Sequence, residues 1–263
     1  MKTLKNGDFM KIGVCGGIER APMIKSLGFD YIEENLSKIA VLSEEDFEKR
    51  VDEYKALRLP VYSFNGFFGG DISIYGENSM DGVKEYASRA LLRAHKLGGK
   101  VCVIGSGKAR AIPDGVSREF AEIRFTEVVS VCADIADKYG IKIVVEPLNS
   151  CETNFINTVS EGAGIAQRVG KANVGALVDF FHFYMEGECD SEVSKIADVL
   201  IHAHIARPNA DRCAPKAEDA ETVARWAELL KSIGYGEAIS LECKYTDFEN
   251  EIKEAAKYME FFR

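Results

Sequence analysis

Short apolar runs rich in Val and Ile alternate along this chain with longer stretches of helical spacing. KIGVC (11–15), FDYIEE (29–34), VYSFNG (61–66), VCVIG (101–105), IKIVVE (141–146), VGALVD (174–179), LIHAHI (200–205) and AISLE (238–242) read as strands. Strands covered on both faces are continuously apolar rather than alternating, so these runs predict a buried parallel sheet. Segments 44–58, 80–97, 116–138, 158–169, 219–232 and 247–262 read as helices. Within 116–138, the spacing of Phe120, Ile123, Val128, Val131 and Ile135 predicts one buried face. Gly28, Gly98, Gly140, Gly170 and Gly234 each follow a helical stretch and precede a strand, which suits the left-handed position after a helix end.

Eight strands alternating with about as many helices predict the α/β class and a closed (β/α)8 TIM barrel. An open doubly wound sheet is the alternative. With no linker, low-complexity tract or break in composition, residues 1–263 are expected to form a single domain.

Composition narrows the partners. Lys and Arg number 33 against 42 Asp and Glu, a net charge of −9. Nucleic-acid binding uses a basic face, and anionic membranes attract basic segments, so neither partner is expected. The 7 Cys include no CxxC pair. That argues against a disulfide framework or thiolate zinc knuckle and fits a reducing, cytoplasmic compartment. The N-terminal stretch MKTLKNGDFMKIGVCGG has no apolar run of signal-peptide length, and no run is long enough to span a bilayer.

In a barrel of this kind, chemistry sits at the C-terminal strand ends. The last four strands end in Glu146, Asp179, His204 and Glu242, each about one βα unit from the next. That places three carboxylates and an imidazole around one rim. Carboxylates crowded in a dry cavity need a counter-charge, and this O,O,O,N set suits one divalent cation, Mn²⁺, Mg²⁺, Zn²⁺ or Co²⁺. Each residue alone has a plainer reading, as a helix cap, a salt-bridge partner or a core histidine. His202 shares the parity of His204 and is expected one layer deeper. Glu33 ends the second strand and either faces the cavity or forms a salt bridge nearby. The Gly-rich aromatic stretch NGFFGGDISIYGENS (65–79) suits a lid, with Phe67 and Phe68 as wall residues. In GSGKARAIPDG, the GSG reads as a tight βα turn or a backbone anion cradle. Cys15, Cys102, Cys151 and Cys243 read as small apolar fillers.

The segments VVEPLNSCETNFINT, ALVDFFHF, LIHAHIA and SLE, with GSGKARAIPDG, resemble the sugar isomerase/epimerase group of xylose-isomerase-like TIM barrels. The resemblance covers nearly the whole chain. It implies that Glu146, Asp179, His204 and Glu242 bind the cation, and that Glu152 and His182 bind substrate. It also implies a substrate-binding arginine after the His-x-His strand, a role for which Arg207 and Arg212 compete. The Gly-rich turn usual there in the epimerases is replaced by IARPNADRCAPKAED. Homodimers or homotetramers are implied as well.

The chemistry implied is proton abstraction next to a carbonyl through a metal-stabilised enediolate, with Glu146 and Glu242 as acid/base pair. The substrate would be a small sugar, sugar phosphate or keto acid. The alternatives are a hydroxypyruvate isomerase, an inosose dehydratase-like lyase, an abasic-site endonuclease and a non-catalytic sugar-binding barrel. The endonuclease chemistry resembles a three-zinc cluster and would call for more than the 4 His present.

Overall fold

A computed structural model describes residues 10–76 and 79–263. The stretch 1–9, where no signal peptide is expected, lies outside them, as do residues 77 and 78 of the expected lid. The strands are β1 (Lys11–Cys15), β2 (Tyr31–Asn35), β3 (Val61–Asn65), β4 (Val101–Ile104), β5 (Lys142–Val145), β6 (Val174–Asp179), β7 (Leu200–Ile205) and β8 (Ala238–Leu241). They pair in sequence order, and β8 returns to β1, giving a closed barrel of parallel strands. Closure leaves no sheet edge unpaired, and the open-sheet alternative is excluded.

Inside the barrel, Val101, Val103, Val144 and Leu177 form an apolar plug, packed by Tyr62 and Ile201. The larger core lies between sheet and helices and includes Ile12, Val14, Ile143, Val145, Val178 and Ile239. Strand residues point alternately inward and outward, so each βα unit serves both layers.

The helices begin where the sequence supplies caps. Ser43, Ser117 and Thr158 accept hydrogen bonds from the first turns of Glu44–Leu57, Arg118–Asp137 and Val159–Val169. Thr158 and Glu161 form a reciprocal capping box. Gly28, Gly98, Gly140, Gly170 and Gly234 all have positive φ, as their positions after helices require. No helix of the described residues is long and apolar enough to cross a membrane.

Two expectations fail here. In Arg118–Asp137, Phe120 and Ile123 are each 55% exposed. The buried face is instead Ala121, Phe125, Val128, Val129, Cys132, Ala133 and Ala136. Val128 belongs to the expected face, but the buried stripe runs through Phe125 and the small residues Ala121, Ala133 and Ala136, about one position away from a face drawn through Phe120 and Ile123. Cys151, read as an apolar filler, is exposed, whereas Cys15, Cys102 and Cys132 are buried.

Candidate active site and metal centre

The four strand-end residues converge. Glu146 follows β5, Asp179 ends β6, His204 lies on β7 and Glu242 follows β8. Each brings one ligand atom to within 4.8 Å of the others. His204 Nδ1 lies 3.0 Å from Glu146 Oε1 and 2.9 Å from Glu242 Oε2. Asp179 divides its two oxygens between tasks. Oδ1 accepts the main-chain N–H of Phe181 at 2.9 Å and caps the helix Phe180–Met185. Oδ2 faces the cluster, 2.7 Å from Arg212 Nη2. The cap reading is therefore met by one oxygen, and the other is left facing the cluster.

Backbone geometry makes room for this convergence. A Cβ on Gly105, the first residue after β4, would lie 2.1 Å from Glu146 Oε2. The GSG forms a turn in which Ser106 Oγ accepts the Phe68 N–H at 2.9 Å. Arg110 is buried behind Glu146. Its guanidinium donates to the carbonyls of Glu146 at 2.8 Å, Ile156 at 3.2 Å and Ile104 at 3.3 Å. Burial pushes the Arg110 pKa down to about 10, still charged at neutral pH. The sequence reading passed over Arg110, because its role depends on where three carbonyls meet.

Arg212 and Arg207 separate clearly. Arg212, with φ 54°, turns its guanidinium onto Asp179 and Glu242 and over the ring of Phe181. It also reaches His182, Nη1 to Nε2 at 2.9 Å, and lies 3.8 Å from Glu152 Oε1. Arg207 is instead held by Glu218 and Asp219. His182 is buried, and its Nδ1 accepts the Asn149 N–H at 3.0 Å. Glu152 is exposed beside it. Phe67 is fully buried against Phe68 and Tyr86, so this part of the expected lid is packed into the core. Asn65 and Glu33 also join the site. Asn65 Nδ2 donates to Glu242 Oε1 at 2.7 Å, and Glu33 lies on the far side of the His204 ring, 2.9 Å from Nε2.

The electrostatics of the two glutamates diverge. Burial raises the Glu146 pKa, and the neighbouring Glu242 raises it further. Burial acts the same way on Glu242, but Arg212 and His204 outweigh it and hold that carboxyl well below the usual range. Burial disfavours charge on His204, yet Glu33 and Glu242 carry its pKa well above the ordinary imidazole value. For Glu33, the imidazoles of His204 and His202 overcome burial and keep it ionised. Carboxylates pushed apart in this way are the usual signature of an acid/base pair.

The donor set also fits a divalent cation. Three carboxylates and one imidazole point at a common space, and in this structure a guanidinium supplies the positive charge that the carboxylates demand.

Comparisons with known proteins agree with this architecture. D-psicose 3-epimerase of Agrobacterium fabrum is 31% identical over 123 residues, covering 45% of this chain and 40% of that protein. The chain spans about half the length of the curated relatives it matches. Among solved structures, D-allulose 3-epimerase from Methylomonas sp. in complex with D-allulose superposes with a TM-score of 0.84 at 19% identity, covering 97% of this chain and 98% of that one. The IolI protein with a bound zinc atom superposes with a TM-score of 0.73 at 18% identity, covering 96% and 98%. A family model described as xylose isomerase-like TIM barrel matches residues 22–263, and the chain belongs to that family.

Proposed function

We propose that this barrel, as one domain over residues 1–263, is a divalent-metal-dependent isomerase or epimerase of a small sugar or related hydroxycarbonyl compound. The single observation that carries the reading is the convergence of Glu146, Asp179, His204 and Glu242 within 4.8 Å at the C-terminal barrel mouth. The family and the names of its relatives support the same class of chemistry.

Those four residues would hold the ion. When bound, it supplies a Lewis acid that polarises a carbonyl and the neighbouring hydroxyl. The chain's own residues move the proton. One of Glu146 and Glu242 takes a proton from the carbon beside the carbonyl, and the C–H electron pair shifts to give an enediolate. The other returns a proton to the opposite face, inverting the centre. Opposed electrostatics at Glu146 and Glu242 suit this division. His182, Glu152 and Arg212 line the rim where substrate hydroxyls would be oriented. Arg207 is less suited to that role, because Glu218 and Asp219 already hold it.

The test is proton exchange. Protein loaded with Mn²⁺ or Co²⁺ is incubated with a panel of ketoses and keto acids in D₂O. NMR should show deuterium entering one carbon next to a carbonyl. Glu146→Gln and Glu242→Gln should each slow that exchange by about 10²–10⁴-fold. Undiminished exchange in both variants would refute the two-base assignment, and no exchange with any substrate would refute the reaction class.

A further inference from the structure

Glu33 is completely buried in the middle of β2, inside the barrel and below the rim. Every neighbour it bonds is a donor. Its Oε2 accepts from Ser240 Oγ at 2.6 Å, Ser63 Oγ at 2.7 Å and His202 Nε2 at 2.8 Å. Its Oε1 meets His204 Nε2 at 2.9 Å. Ser240 donates to Glu33, so Tyr31, 2.7 Å from the same hydroxyl, donates to Ser240. One carboxylate thus ties β2, β3, β7 and β8 together through a fully buried polar layer.

Cys15 also brings its sulfur within 4.8 Å of Glu33 and His204. That group is not read as a second ion site, because Glu33 Oε1 and His204 Nε2 are bonded to each other and His204 Nδ1 faces Glu146 and Glu242. What the arrangement does is decide which ring nitrogen of His204 faces the rim cluster. A carboxylate accepts only, so His204 must present Nε2–H to Glu33. Nδ1 then faces Glu146 and Glu242. Rotating the ring by half a turn would point a C–H at one carboxylate and leave the other without its donor.

We propose that Glu33 is the positioning residue of the metal centre: it locks the His204 ring so that Nδ1, and not Nε2, is the ligand atom. The inference rests on the metal reading given above. Glu33 touches neither ion nor substrate and acts only through His204. Ser63, Ser240 and His202 hold Glu33 in turn, so the ligand is oriented by the barrel interior rather than by a mobile loop. Outer partners of this kind typically change metal affinity 10–100-fold when removed.

The experiment compares wild type, Glu33→Gln, Glu33→Asp and Ser63→Ala. Affinity for Zn²⁺ and Mn²⁺ is measured by chelator competition, and NMR of the Zn²⁺-loaded, ¹⁵N-histidine-labelled protein identifies the ligating nitrogen. Wild type should ligate through His204 Nδ1 and show a slowly exchanging, downfield Nε2–H. Glu33→Gln should bind the ions about 10–100-fold more weakly and lose that slow exchange, and Glu33→Asp should recover part of the affinity. Ser63→Ala removes one Glu33 contact without touching His204, so it should lower stability and leave the ligating nitrogen unchanged. Ligation through Nε2 in wild type would overturn the proposal even if no variant folds. So would affinity within twofold of wild type in a folded Glu33→Gln. Wild type that binds no divalent ion would remove the metal reading beneath the proposal. Wild type that binds the ion but turns over nothing would count against the reaction class alone, because affinity and ligation still test Glu33.

Discussion

Arg212 Nη2 lies 2.7 Å from Asp179 Oδ2, so a guanidinium from the loop after β7 neutralises a carboxylate at the end of β6. The same nitrogen bonds Glu242. Arg212→Met should leave these carboxylates without their counter-charge. Breaking a buried ion pair costs about 3–5 kcal/mol, an upper bound here because Arg212 remains partly exposed. The metal-free variant should therefore melt lower than metal-free wild type. Added Mn²⁺ should raise its Tm by more than it raises that of wild type, because the ion then replaces the lost charge. Equal metal-induced shifts in the two proteins, read by differential scanning calorimetry, would contradict this.

Gly105 is required for close approach rather than for an unusual backbone angle. A methyl group there would lie 2.1 Å from Glu146 Oε2 and must displace the carboxylate. Gly105→Ala should weaken divalent-ion affinity by about tenfold or more, as misplacing a ligand does. The far-UV circular dichroism should not change. Unaltered affinity by calorimetric titration would show that Glu146 can yield without loss.

Arg110 supports the site from behind. Arg110→Met removes the donors to the carbonyls of Ile104, Glu146 and Ile156, all in a dry interior. Ile104 O and Ile156 O keep main-chain donors, the N–H groups of Glu146 and Leu148, so Glu146 O is the acceptor left without one. One unsatisfied buried acceptor costs about 1–3 kcal/mol, roughly 2–12 °C in Tm for a chain of this size. Urea unfolding of the metal-free protein measures it directly.

Glu188 gives the protein a pH response away from the site. Its carboxylate accepts the Val159 N–H at the start of the helix Val159–Val169. Burial, partly offset by that hydrogen bond, pushes its pKa up to about 7. A carboxyl raised in the folded state binds its proton more tightly there than when unfolded. Its contribution is full below the ordinary carboxylate range and is lost as pH rises through about 7. Wild type should lose stability between pH 5 and about pH 8, and Glu188→Gln should flatten that slope. Solvent screening of this part-exposed group limits the effect to about 1 kcal/mol, roughly 2–4 °C. Parallel Tm-against-pH curves for the two proteins would rule it out.

The barrel was legible because buried parallel strands are continuously apolar and because helix ends carry glycine. Such cues need only neighbours in sequence, as does the pairing of Thr158 with Glu161. The inner face of Arg118–Asp137 was misread for a physical reason. A face drawn through Phe120 and Ile123 lies about one position from the buried stripe, which runs through Phe125 and Val128 and is completed by Ala121, Ala133 and Ala136. Alanines pack inward yet weigh little in a hydrophobic pattern, so they do not pull the expected face onto the real one.

Residue order along the chain determined the alternation of strand and helix, the strand-end positions of Glu146, Asp179, His204 and Glu242, and the inward parity of His202 and His204. These follow from local periodicity and from where strands stop. Only closure of the barrel decided that Arg212 rather than Arg207 reaches the carboxylates, that Phe67 is buried, that Arg110 gathers three carbonyls and that Glu33 holds the ring of His204. The contacts of Arg212 with Asp179 and Glu242, of Arg110 with Glu146 and Ile156, and of Glu33 with His204 join different βα units, and side chains far apart in sequence carry no local signal of the partner they will meet.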